Sequence, residues 1–166
     1  MSQRSTVSPI SGVIPIEQIL GEDAEDTRLL REMAAKAHHY ISRFSWCRSV
    51  QEAYFGDGYG KLVAVFLFRI DPSRPDVDEW LWVVVGDLPS AYLVIDECKT
   101  PSQALERYIG EISEWVRLAK EGRSSDDLIP VNAPATPESA RMLEGRLKVL
   151  SETILPALRL NEVVRS

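Results

Sequence analysis

The 166-residue chain is 45% hydrophobic and 27% charged, the balance of an ordinary folded domain rather than a disordered or fibrous one. A net charge of −6, with 19 Lys and Arg spread against 25 Asp and Glu, argues against nucleic acid as a partner, because phosphate binding needs clustered cations. The two cysteines, Cys47 and Cys98, stand alone without C-x-x-C spacing, which suggests neither a zinc site nor a redox pair and fits a reducing, cytoplasmic setting.

Residues 1–20 are rich in Ser, Pro and Ile and read as a loose N-terminal arm, with Ile14, Ile16, Ile19 and Leu20 available to tack onto the body. The arm lacks the unbroken apolar stretch of a secretory signal, and no run in the chain approaches the roughly 20 apolar residues of a membrane-spanning helix. The rest, 21–166, reads as a single α+β domain. From Asp23 to about Arg43, Leu29, Leu30, Met33, Ala34, Ala37, Tyr40, Ile41 and Phe44 recur at helical spacing, and Asp23, Glu25 and Asp26 favour the positive N-terminal end.

A strand is expected at 50–55, with GDGYG supplying the turn of a hairpin into a second strand at 61–70. The stretch DPSRPDVD then connects to a third strand at 79–86, and GDLPS makes a short link to a fourth at 90–96. Thr100-Pro101 and Thr136-Pro137 each place a capping hydroxyl ahead of a proline at the first helical position, announcing two C-terminal helices. Gln103 is placed to complete a capping box, Gly122 to stop the first of these helices, and Pro156 to end or kink the second. In the connection between them, Leu128, Ile129 and Val131 suggest packing along the surface.

The fold class is therefore α+β, a four-stranded antiparallel meander sheet flanked by one N-terminal and two C-terminal helices. Its strands are apolar on both faces: Phe66, Phe68 and Ile70 oppose Val63, Val65 and Leu67, while Trp80, Trp82 and Val84 oppose Leu81, Val83 and Val85. A sheet with one wet face would alternate apolar and polar residues, so both faces need a cover. The expectation is partial cover, with a residual apolar face left for self-association or a partner.

No constellation announces catalysis. Adjacent His38 and His39 point about 100° apart on a helix and cannot chelate one metal together. A Cys47 nucleophile assisted by either histidine is the only thiol chemistry on offer, and a small core thiol is the simpler reading. The glycines of GDGYG precede a strand and not a helix N-terminus, so they do not form a phosphate cradle. Asp87 and Asp96 sit at strand ends, where aspartate also serves turns. No catalytic residue, metal ligand or cofactor is assigned; the binding candidates are Trp80, Trp82, Asp87 and Tyr92, chosen as aromatic anchors and a neighbouring charge.

The runs WLWVVVGDLPSAYLV (80–94) and DLIPVNAPATPE (127–138) resemble a group of small bacterial proteins to which no activity is attached, over about 46–155. In general type the chain is similar to the immunity proteins that neutralise bacterial toxins. The missing catalytic constellation, the acidic charge and the doubly apolar sheet point to a non-enzymatic module, of the immunity type in general character, acting on a protein partner or on a second copy of itself as a homodimer. The alternatives are a small-molecule-binding protein or enzyme with a pocket between sheet and helix, and a structural homo-oligomer subunit.

Overall fold

The computed structural model describes residues 10–124, 131 and 133–165. Residues 1–9 of the arm, and Leu128 and Ile129 of the long connection, lie outside the described residues. The architecture is α+β, built on an open antiparallel sheet of five strands in the order β1-β2-β3-β4-β5. They are β1 (Ile14–Pro15), β2 (Cys47–Tyr59), β3 (Val63–Pro72), β4 (Trp80–Gly86) and β5 (Ala91–Val94).

The fifth strand comes from the arm. Ile14 pairs with Phe55 and Pro15 with Tyr54, and Ile10 and Ile19 are buried, so the arm is tied down from Ile10 onward. Leu20, expected to join them, is 80% exposed. A two-residue edge strand containing proline is what a sheet margin tolerates, because an edge strand needs ladder donors on one side alone.

The β2–β3 hairpin also departs from expectation. Gly56, Asp57 and Gly58 continue β2, with a register irregularity between Phe55 and Asp57, and the turn falls at Gly60–Leu62. Close approach is the reason for the first two glycines. A Cβ on Gly56 would stand 2.9 Å from the Pro101 ring, and one on Gly58 would stand 2.9 Å from the Ala64 Cβ. Gly60 alone of these takes the left-handed turn conformation, at φ +52°.

Helix α1 (Ala24–Ser42) starts where the Asp23 carboxylate accepts from the Asp26 N–H. It lays Leu30, Met33, Ala34, Ala37 and Ile41 on the sheet face carrying Phe66, Phe68, Ile70, Leu81, Val83 and Val85. On the opposite face α2 (Pro101–Lys120) covers Val63, Val65, Leu67, Trp82 and Val84. Alongside it runs the last helical stretch: α3 (Pro137–Val149), a π-helical segment (Leu150–Ile154) and α4 (Leu155–Arg165). Both faces of the sheet are thus covered within one chain, and the expected bare face does not exist among the described residues.

The caps follow the sequence closely. Thr100 Oγ accepts from the Gln103 N–H and Thr136 Oγ from the Ser139 N–H. Gln103 reaches back to the Lys99 N–H at 2.7 Å, one residue before the cap. Gly122 stops α2 at φ +69°, with the Arg123 N–H returning to the Leu118 carbonyl. Pro156 does not end its helix. Its ring and missing N–H disturb the bonding of the turn before it, and the chain widens there into a π turn, with the Leu155 N–H on the Leu150 carbonyl. No described helix is long and apolar enough to cross a membrane.

Candidate functional site

The end of the sheet where β4 turns into β5 lies against the C-terminal end of α1 and the flank of α3. Gly86 makes that turn possible. At φ +154° it passes so close to β3 that a side chain would overlap the Leu62 carbonyl, which also accepts from the Asp87 N–H at 3.0 Å. Lys36 of α1 ties in the same turn by donating to the Gly86 carbonyl at 2.9 Å. On the other side, Tyr108 of α2 donates to the Pro89 carbonyl at 2.5 Å.

Between these anchors opens a groove of about 700 Å³. Phe44, Leu88, Pro89 and Leu143 give it apolar walls, and Met142, 53% exposed, lies at its margin. Its polar groups are Tyr40, Arg43, Asp87, Ser90 and Arg146. Arg146 pairs with Asp87 at 3.5 Å, both side chains substantially exposed. Arg43 forms no ion pair among the described residues. Burial, then the neighbouring Tyr92, pushes the Tyr40 phenol up to about 12, with Arg43 pulling the other way. Tyr40 therefore stays protonated at neutral pH and is available as a donor.

From the groove a cluster of half-buried aromatic rings extends to the edge of the sheet. Phe44 meets Tyr40 edge-on at 5.3 Å, stacks on Trp46 at 4.8 Å and meets Tyr92 edge-on at 5.3 Å, and Trp46 lies 5.2 Å from Tyr92. Tyr92 belongs to β5, which closes the strand order on this side. Tyr, Trp and Arg are the residue types that most often anchor protein interfaces, and here they are contiguous.

Of the sequence candidates, Asp87 lines the groove, and Tyr92 joins it through Phe44. Trp80 and Trp82 lie elsewhere, on the face covered by α2. Trp82 is fully buried, its indole N–H donating to the Cys98 carbonyl at 2.9 Å, so it offers nothing to a partner. Trp80 is half-buried beside Tyr54, with centroids 6.1 Å apart. Sequence reasoning treated Tyr40 and Phe44 as core positions and passed over Arg43, Trp46 and Arg146. The i, i+4 spacing of Tyr40 and Phe44, followed closely by Trp46, was the one usable signal.

The possible chemistry of the thiols recedes. Cys47 and Cys98 are buried, and burial raises both thiols, leaving little thiolate at neutral pH. Cys47 bonds only weakly, to the Ser49 carbonyl at 3.8 Å, and the exposed His38 stands 3.4 Å from the Ser42 hydroxyl. Asp96 is exposed. Among the described residues no group of three metal-ligating side chains converges.

The chain is thus an antiparallel α+β protein with helices on both sheet faces and a groove at one end. No protein-family model, curated protein or solved structure matches it.

Proposed function

We propose that the protein is a non-enzymatic protein-binding module and that its contact surface is the groove together with the aromatic cluster at its mouth. One observation carries the reading: Tyr40, Phe44, Trp46 and Tyr92 form a continuous, half-buried aromatic surface flanked by Arg43, at an end of the molecule that its own helices leave open. Such rings bring large contact area with little rotamer freedom to lose.

An immunity-type role is a narrower version of the same reading. It shares the protein-binding reading but would place a basic toxin against the acidic exterior in place of the groove. A second reading, a small-molecule site, is favoured by the groove's volume, which falls in the usual range of about 300–1,000 Å³ for ligand pockets.

Size-exclusion mass measurement on the tagged protein isolated from its own cells separates these readings. The expected result is a stoichiometric complex that survives purification of the parent and is lost in a Trp46→Ala, Tyr92→Ala double variant whose melting curve is intact. A complex indifferent to that variant moves the contact elsewhere. A lone monomer that is stabilised by a metabolite sinks the protein-binding proposal.

A further inference from the structure

We infer that the segment received by the groove is an extended stretch of a partner protein carrying a carboxylate side chain next to an apolar one; this rests on the protein-binding reading above. The charge count in the groove points there. Among the described residues that line the groove, two guanidiniums, Arg43 and Arg146, accompany a single carboxylate, Asp87, an excess of about one positive charge inside a chain whose total is −6.

The positive groups are also available. Arg43 has no ion-pair partner among the described residues, and the Arg146–Asp87 pair is a long, exposed contact of 3.5 Å with side chains 39% and 61% accessible. A pair of that kind contributes little and exchanges readily for a better-aligned carboxylate. The guanidinium fork suits a carboxylate in two-point contact, and the Tyr40 hydroxyl, held protonated, adds a neutral donor on the same groove.

Asp87 narrows the chemistry further. A phosphate monoester brings up to two negative charges, more than the local excess, and Asp87 repels it more strongly than it repels a single carboxylate, which matches that excess. Leu88, Pro89 and Leu143 supply the apolar wall for a neighbouring side chain, and the aromatic surface continuing to Tyr92 gives the site length.

Selection of a random decapeptide phage library on the immobilised full chain, with the enriched peptides then synthesised and titrated by fluorescence polarisation, tests the inference. Enriched peptides should carry Asp or Glu beside an aliphatic or aromatic residue. Arg43→Gln should weaken them about tenfold or more, with partial rescue in Arg43→Lys. Asp87→Asn should tighten them, because the competing carboxylate is gone. Enrichment of neutral or basic peptides, or indifference to Arg43→Gln and Asp87→Asn, overturns the acidic occupant while leaving protein binding standing. No enrichment at all, combined with a lone monomer from native cells, overturns both.

Discussion

The indole N–H of Trp82 finds its acceptor in the Cys98 carbonyl, just before the first turn of α2, and so fastens the sheet to that helix. Trp82→Phe keeps most of the ring but leaves that buried carbonyl unpaired and a void beside it. Destabilisation of about 2–4 kcal/mol is expected, read as a lower urea midpoint at unchanged slope. Three buried or half-buried phenols give a further residue-level test. Burial pushes Tyr40 and Tyr54 up to about 12 from the usual 10, Tyr54 also through its hydrogen bond to Glu52, and burial raises Tyr108 as well. Below pH 10 these phenols are protonated in folded and unfolded chains alike, and their contribution to stability is complete. Above pH 10 the unfolded chain loses protons that the folded one keeps, so stability falls as pH rises from 10 towards 12. Phenolate absorbance should therefore rise together with loss of circular dichroism; full titration near pH 10 with the fold intact would contradict the burial of these rings.

At the scale of elements, the last helix and the β4–β5 turn each hold one residue whose local behaviour decides a larger one. Pro156 sits exposed in mid-helix just after the π turn. Replacing it with alanine removes the ring and restores a donor, and a gain of up to about 3 kcal/mol in unfolding free energy with unchanged helical signal is expected. Gly86 behaves in the opposite sense. Gly86→Ala forces a Cβ into the Leu62 carbonyl, so a loss of about 3 kcal/mol or more is expected, accompanied by weaker peptide binding because the apolar wall of Leu88 and Pro89 moves with it. The helix starts were legible in the sequence because a capping side chain and a proline act over three or four residues. The hairpin turn was not, because Gly56 and Gly58 answer to Pro101 and Ala64, which no local pattern reveals. The arm's strand escaped for a similar reason: two residues of ladder have no period to read.

Across the whole molecule, α1 on one side and α2 with α3–α4 on the other explain why β3 and β4 are apolar on both faces. The double apolar pattern was plain in the sequence, and so was its need for two covers; what the sequence withheld was the side each helix takes, a choice made by contacts between residues far apart in the chain. That withheld choice also hid the groove, since Arg146 reaches Asp87 only once α3 lies beside the β4–β5 turn. Deleting the chain after Val149 would remove Leu150, Ile154, Leu155 and Leu158, all buried in the α2-side core. The shortened protein is expected to bind a hydrophobic dye and to aggregate, which light scattering checks.

The end of that last helix is fastened to places far back in the chain. Asn161 donates to the Asp57 carboxylate and to the Tyr59 hydroxyl at 3.0 Å each, and the Glu162 carboxylate takes both the N–H and the hydroxyl of Ser102 in the first turn of α2. During synthesis, α1 is already available when the strands emerge, but the residues that complete the opposite cover leave the ribosome well after the sheet itself. For that interval the nascent chain carries a half-dressed sheet. Closure through contacts of such long sequence separation is slow, so the sheet should draw on chaperones while it waits for α4.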